Sequence, residues 1–284
     1  ELDLADLDAM ARRVPVIANL FPSGDRLMED FHYAGGLPAL MNVIRAHLSL
    51  DEITVTGEPL RAQLDGRAVL DPQVILAPDH PVSPRPALAV LRGNLAPEGA
   101  VIKPSAASPE LMRHRGRAIV FDSPPEMNAA LSDPAFDCDE TCVIVLRNAG
   151  PVGGPGMPEW GNLPIPRKLL QRGVRDLVRV SDARMSGTHY GTCVLHVSPE
   201  SAVGGPLALV RDGDTIELDV EARALNLLVD DAELARRRAA WSAPAQPYAR
   251  GYTRLYQQHV TQAHEGCDFD FLAGTAPTPE PAIY

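Results

Sequence analysis

The spacing of apolar positions changes along the chain and predicts two differently built regions. Helical spacing over residues 2–13 and 37–48 predicts two helices, and the apolar run 14–20 between them predicts a short buried strand. Helices that alternate with strands are typical of α/β layers. The opening region is therefore predicted to be α/β, up to a proline-rich crossing at 78–86 that we take as a domain boundary.

After this boundary, short apolar runs follow one another, separated by Gly, Pro and Asp. The runs are ALAVLRG, GAVIKP, GRAIVF, CVIVLRN, DLVRV, CVLHV, LALVRDGDTIELDV and ALNLLV. Strands of this length with turn signals between them predict a β-rich sandwich or barrel. Within it, RDGD at 211–214 predicts a hairpin turn. Helices are predicted over 230–241, capped by Asp230, and over 252–266, stopped by Gly266.

Composition and charge narrow the class of protein. The 284 residues suffice for one large domain or two ordinary ones. A formal net charge of −11 argues against nucleic acid or an anionic membrane surface as the partner. No apolar run is long enough for a transmembrane helix, and the acidic N-terminal stretch lacks the basic region of a signal peptide. We therefore expect a cytoplasmic protein.

The cysteines do not show the paired spacing of a metal cluster. They are Cys138, Cys142, Cys193 and Cys267. Only the first two are close in sequence, and no second pair completes a site. We expect reduced, partly buried thiols.

A glycine-rich stretch, NAGPVGGPGMPEWGN at 148–162, follows a predicted strand and contains one carboxylate, Glu159. Glycines let a backbone approach a ligand closely, and a hard cation such as Mg²⁺ takes carboxylate oxygens. A structural loop with a solvated Glu159 is an equally good interpretation. A phosphate cradle is disfavoured because no GK[ST] follows the glycines.

A small polar stretch, DARMSGTHYGTCVLHV at 182–197, lies between two predicted strands. The hydroxyl of Ser186 can act as a base only with help from a nearby cation, a metal or a partner such as His189. His189 is not part of a G-x-S-x-G elbow. From these residues alone, a polar loop between two strands is the favoured interpretation.

Two further stretches could meet a ligand. Arg92, Asn94 and Lys103 could contact an anionic substrate, or Lys103 could cap a surface strand. In MEDFHYAGG, Glu29 and Asp30 could bind a metal or cap a helix.

Together and in this order, five blocks of sequence resemble the family that contains dihydroxy-acid dehydratase, phosphogluconate dehydratase and the aldonic-acid dehydratases. The blocks are PSGDRLMEDFHYAGGLPALM, LRGNLAPEGAVIKPSAASPELMRHRGRAIVF, VLRNAGPVGGPGMPEWGN, SDARMSGTHYGTCVLHVSPESAVGGPLALVRDGDTIELD and LLVDDAELARRR. They run through nearly all of the chain, which is far more specific than any single motif. DARMSGTHYGTCVLHV and the ending CDFDFLAG look more like the sugar-acid branch than the branched-chain amino-acid branch.

The resemblance implies a hydro-lyase that removes water from a sugar acid and gives a 2-keto-3-deoxy acid. Ser186, as an alkoxide, would take the proton from C2, and Glu159 would be a ligand of a Mg²⁺ ion that holds the substrate. An iron–sulfur cluster, expected as [2Fe-2S], would act as Lewis acid on the 3-hydroxyl. Arg184, Thr188 and His189 would contact the substrate. Family members are commonly homodimers or homotetramers.

The resemblance also implies a fold. Residues 1–84 would be the C-terminal part of an α/β domain, 85–250 a swivelling β-barrel-like domain, and 251–284 a closing segment that packs back on the first domain. Family chains are much longer, and their cluster cysteines and other Mg²⁺ ligands lie in an N-terminal half that these residues do not match. The sequence is therefore expected to be a C-terminal half, with the base and one metal ligand but no complete site.

Three alternatives stay open. The first is a dihydroxy-acid dehydratase of branched-chain amino-acid synthesis. The second is a non-catalytic β-rich binding module that keeps the fold without the chemistry. The third is a serine hydrolase that uses Ser186 and His189.

Overall fold

Helices dominate the first region of the chain. In the computed structural model, which describes residues 2–245, 247–274 and 282, these helices are α1 Leu4–Ala11, α2 Met28–Tyr33, α3 Gly36–Val43 and α4 Leu60–Leu64. They surround a small apolar cluster formed by Phe31, Ala34, Ala39, Val74 and Ile75. Within the described ranges, no helix combines the length and the apolar character needed to span a bilayer.

The strand predicted over 14–20 is wrong. This stretch makes only single bridges, such as Val16 with Ser83 and Ala18 with Ile75. Both it and the stretch that it meets contain proline, which lacks an N–H donor and cannot extend a ladder of hydrogen bonds.

The second region is built on a sheet that has eight strands in the described residues. The strands are β1 Ala89–Leu91, β2 Gly99–Ile102, β3 Arg113–Phe121, β4 Val143–Leu146, β5 Val178–Ser181, β6 Cys193–Ser198, β7 Thr215–Asp219 and β8 Ala224–Leu227. Their order is β1-β2-β6-β5-β4-β3-β7-β8. The central strands β3 to β6 pair in parallel, and the outer pairs are antiparallel.

The two outer strands meet, so the sheet is a nearly closed barrel. Arg92 donates its N–H to the Arg223 carbonyl at 2.8 Å, and Leu225 donates its N–H to the Arg92 carbonyl at 2.9 Å. The predicted α/β fold with a barrel-like sheet is confirmed. The domain limits at 84 and 250 and the swivelling of the barrel stay predictions.

The central strands are buried on both faces, which explains their continuous apolar sequence. One cluster fills the barrel with side chains such as Leu91, Val145 and Ile216. A second cluster lies outside the parallel strands and includes Met127 and Leu169. These two side chains belong to helices α5 Pro124–Ser132 and α6 Arg167–Gln171.

The later helices agree in part with the sequence prediction. Helix α7 spans Asp231–Ala240, and Asp230 caps it by accepting the Glu233 N–H at 2.8 Å. Helix α8, Tyr252–His259, is shorter than predicted because Val260 is extended and pairs with Phe269.

The turn predicted at 211–214 forms, since Asp214 donates its N–H to the Arg211 carbonyl at 3.1 Å, but the hairpin predicted there does not form. The residues before it, Pro206–Leu209, form a 3-10 turn rather than a strand, with Leu207 and Leu209 buried. Proline fits the first position of such a turn, and the two leucines reach the core without pairing with β7.

Gly93 lies where the barrel closes, and an added Cβ there would be 2.1 Å from the Leu225 carbonyl oxygen. We expect Gly93→Ala to lower the free energy of unfolding by about 2 kcal/mol or more, because the backbone of β8 must shift. Gly213→Ala is the matched control, since Gly213 also has positive φ but no atom within 4 Å of an added Cβ. Urea unfolding measures both variants, and equal midpoints would contradict this close approach.

Candidate functional site

The segments that carry the candidate residues leave the barrel at the same edge, because β4, β5 and β6 are parallel neighbours. The glycine-rich stretch 148–162 follows β4. The small polar stretch that begins at Asp182, from here called the serine stretch, follows β5, and Glu200 follows β6. In sheets with parallel strands, ligands bind outside the carboxyl ends of the strands. The topology therefore brings together motifs that are far apart in sequence.

A buried carboxylate holds the glycine-rich stretch from inside. Glu200 accepts the N–H groups of Val152 and Gly153 at 2.8 and 2.9 Å. An added Cβ at Gly150 would lie 2.7 Å from the Glu200 side chain, so this approach requires glycine. These N–H groups bind the protein's own carboxylate, which agrees with the prediction that the stretch is not a phosphate cradle.

Asp182, at the start of the serine stretch, is also buried and binds the same loop. Its carboxylate accepts the N–H of Ala149 at 3.0 Å, and the N–H and hydroxyl of Ser201 at 2.9 and 2.5 Å. Burial raises the pKa of Asp182, and the hydrogen bonds oppose this rise. Burial likewise raises the pKa of Glu200, against the N–H groups that it accepts. Both carboxylates accept hydrogen bonds from groups of the protein itself and hold the loop in place.

The closing segment supports the loop from the other side. Gln257 donates to the Val152 carbonyl at 2.9 Å, and Gln262 donates to Glu200 Oε1 at 2.9 Å. The packing of this segment on the first domain stays a prediction, and the part of it at 275–281 and 283–284 lies outside the described residues.

Glu159 lies on the outer part of the glycine-rich stretch, with 46% of its side chain exposed. Its Oε1 accepts a hydrogen bond from Arg184 Nη1 at 3.0 Å. The two stretches also meet through backbone, since Gly161 donates its N–H to the Arg184 carbonyl at 2.8 Å. The structure therefore places Glu159 beside the stretch that carries Ser186.

Ser186, Thr188 and His189 lie in the crossover between β5 and β6, which we call the serine turn (residues 184–190). Ser186 Oγ is 3.0 Å from Thr188 Oγ1, and either hydroxyl can donate. His189 donates its N–H to the Ser186 carbonyl at 3.4 Å, but its ring Nδ1 has no partner among the described residues. The serine-hydrolase alternative thus lacks its Ser–His hydrogen bond. Substrate contacts by Arg184, Thr188 and His189 stay predictions.

A buried ion pair lies at the amino ends of β5 and β6, where the serine turn returns to the barrel. Asp176 and Arg179 are 2.9 Å apart, with side chains 2% and 4% exposed. Asp176 accepts the N–H groups of Ser108 and Thr192 at 3.1 and 2.9 Å. Arg179 donates to the Leu163 carbonyl at 3.1 Å. The pair was missed from the sequence, although an arginine inside the apolar run DLVRV signals a buried partner.

Of the three residues considered for an anionic substrate, two close the barrel instead. Asn94 donates to the Leu227 carbonyl at 2.9 Å, and Arg92 joins β8 through its backbone. Lys103 reaches the serine turn, where its Nζ donates to the Gly187 carbonyl at 2.7 Å.

The described residues do not form a metal site by themselves. Asp30 caps its own helix by accepting the Leu27 N–H at 2.8 Å. Among the residues that the structure describes, no group of three or more His, Cys, Asp or Glu side chains could hold a metal ion. The cysteines are free thiols, as predicted; the buried ones are Cys138, Cys142 and Cys193, and Cys267 is partly buried.

Two family models match the chain. The dihydroxy-acid/6-phosphogluconate dehydratase C-terminal model matches residues 73–267, and the corresponding N-terminal model matches residues 1–63. A 6-deoxy-6-sulfo-D-gluconate dehydratase of Pseudomonas putida is 56% identical over 287 residues, covering 100% of this chain and 50% of that protein. An L-arabonate dehydratase of Azospirillum brasilense is 51% identical over 283 residues, covering 96% of this chain and 48% of that protein.

Dihydroxy-acid dehydratases are also similar to this chain. The one from Ignicoccus hospitalis is 42% identical over 269 residues, covering 94% of this chain and 48% of that protein. The chain spans about half the length of the curated relatives that it matches.

We expect Asp176→Asn to lower the free energy of unfolding by about 3–5 kcal/mol, because it leaves the buried Arg179 guanidinium without a counter-charge. Glu140→Gln is the matched control, since Glu140 pairs with Arg172 at the surface and should contribute less than about 1 kcal/mol. Chemical denaturation measures both variants, and trypsin cleavage after Arg184 reports loosening of the serine turn. An Asp176→Asn protein as stable as the control would contradict this role of the ion pair.

Proposed function

Because the chain belongs to the dihydroxy-acid/6-phosphogluconate dehydratase family, we propose that it supplies the proton-abstracting side of a sugar-acid dehydratase. This hydro-lyase converts a 2,3-dihydroxy acid into a 2-keto-3-deoxy acid. The observation that carries the proposal is the position of Ser186, partly exposed, next to the stretch that holds Glu159.

The proposed substrate class is supported by the relatives. Those named as sugar-acid dehydratases are 50–56% identical to this chain, and those named as dihydroxy-acid dehydratases are 39–42% identical. This difference supports a sugar acid over the substrate of branched-chain amino-acid synthesis.

Ser186 is the proposed general base. Its deprotonated Oγ takes the proton from C2, and the electron pair of that C–H bond forms a C2–C3 double bond as the 3-hydroxyl leaves. The proton and the hydroxide together make the water that is lost, and the enol becomes the 2-keto acid. Thr188 Oγ1, 3.0 Å from Ser186 Oγ, donates to the alkoxide and stabilises its charge.

Glu159 is proposed as one ligand of Mg²⁺. Among the described residues its carboxylate accepts hydrogen bonds from Arg184 alone, so oxygen lone pairs remain for a hard cation. A bound Mg²⁺ would supply electrostatic stabilisation of the substrate carboxylate and of charge that develops next to it. A single carboxylate does not complete such a site, and the other ligands are expected outside the described residues.

The cysteines of this chain do not fit an iron–sulfur cluster. Cys138 and Cys142 lie in the apolar cluster outside the barrel, Cys193 is buried on β6, and Cys267 contacts Met157. We propose that the ligands of the cluster lie outside these residues, and that the protein forms a homodimer or homotetramer in the cytoplasm.

Ser186→Ala tests the proposed base in this chain combined with the N-terminal half that its relatives possess. We expect turnover of aldonic acids to fall at least about 10³-fold, because no other group takes the C2 proton. Ser132→Ala, at the exposed end of α5, is the control and should keep full turnover. Turnover and C2-deuterium exchange measure the effect.

Two other results at Ser186 would favour other functions. Unchanged turnover would favour the binding-module alternative. A fluorophosphonate label on Ser186 of the unsubstituted protein would favour the serine hydrolase.

Glu159→Gln tests the metal ligand. We expect the Mg²⁺ affinity of the same assembly to fall at least about 10-fold, because a neutral amide oxygen replaces a charged ligand. Glu110→Gln, in an exposed 3-10 turn, is the matched control and should bind Mg²⁺ normally. Isothermal titration with MgCl₂ reports binding separately from turnover, and an unchanged affinity would exclude Glu159 as a ligand.

A further inference from the structure

Lys103 follows β2 and extends its side chain to the serine turn. Its Nζ donates to the Gly187 carbonyl at 2.7 Å. An added Cβ at Gly187 would lie 3.6 Å from the same Nζ, so the ammonium group lies against the turn. Gly187 directly follows Ser186, so the ammonium group contacts the residue next to the proposed base.

Lys103 differs from the other cations near the turn. Arg184 is paired with Glu159, and Arg179 is paired with Asp176. In the part of the chain that the structure describes, Lys103 forms no ion pair with a carboxylate, and its hydrogen-bond acceptor is the neutral Gly187 carbonyl. Its charge is therefore available to an anion that forms at the turn.

The surroundings of Lys103 act on its charge in two ways. Burial lowers the pKa of Lys103, which disfavours the ammonium form, and a thiolate at Cys193 would oppose this fall. A charge that is partly removed from water acts over a longer distance, because the local dielectric constant is lower than that of bulk solvent.

We propose that Lys103 is the positioning residue of Ser186, an inference that rests on the proposed function. Its hydrogen bond to the Gly187 carbonyl fixes the turn, and its charge favours the alkoxide over the neutral hydroxyl. Lys103 acts through Ser186 and its turn, and it does not exchange a proton with the substrate.

Three substitutions separate the charge from the hydrogen bond. Lys103→Arg keeps both, Lys103→Gln keeps a donor without the charge, and Lys103→Met keeps neither. Each is made in this chain combined with the N-terminal half that its relatives possess, and urea unfolding verifies that each variant is folded. The readout is the pH profile of kcat and of kcat/KM with an aldonic acid.

We expect Lys103→Gln and Lys103→Met to move the acid limb of the profile upward by about one pH unit or more, because the alkoxide loses its neighbouring cation. Below that limb, kcat should fall about 10-fold or more, with a smaller change in KM. Lys103→Arg should restore the original limb. An unshifted limb in Lys103→Gln would overturn the proposal, and so would a change confined to KM, which would indicate substrate binding.

A second measurement does not depend on turnover. The rate at which acetic anhydride modifies Lys103 in the 284-residue chain is followed against pH by peptide mass spectrometry. At each pH we expect Lys103 to react more slowly than a lysine in an unstructured reference peptide, because its Nζ is held against the Gly187 carbonyl. A rate equal to that of the reference would overturn the proposal. If no aldonic acid is turned over by the unsubstituted assembly, the proposed function fails, whereas this measurement still decides whether Lys103 is held at the serine turn.

Discussion

The buried pair of Asp176 and Arg179 is the interaction on which the site depends. An unpaired charge at this depth would cost several kcal/mol, so both side chains must be present together and fully hydrogen-bonded. Their partners lie in the segment after β2, just after the glycine-rich stretch and just after the serine turn. The turn can therefore expose its tip while its return to the barrel stays fixed, which is what a base needs for a reproducible approach to a substrate.

Burial, rather than residue type, separates the carboxylates of the site into two groups. Asp182 and Glu200 are enclosed and bind loop N–H groups, so they determine where the loop lies. Glu159 extends outward and keeps oxygen lone pairs that a cation can use. The inner carboxylates thus support the loop that carries the outer one.

Local patterns allowed part of this structure to be predicted. The central strands have continuous apolar runs, and Asp230 has the spacing of a helix cap, so both could be found from neighbouring residues. The absence of a strand at 14–20 and of a hairpin around the turn at 211–214 could not be predicted in this way, because the pairing of both segments depends on partners elsewhere in the chain. The site shows the same division: Ser186 and Glu159 lie in motifs, whereas Lys103 meets Gly187 across 84 positions of sequence. No short-range spacing encodes such a contact.

The joining of β1 to β8 has a consequence for how the chain can associate with other molecules. A sheet with an open edge presents unpaired N–H and C=O groups on which strands of other molecules can add. Here the Arg92 backbone forms hydrogen bonds with Arg223 and Leu225 across the seam. Association by edge-to-edge strand addition, a common route to aggregation, is thereby disfavoured at the seam, and self-association of this chain should proceed through side-chain surfaces instead.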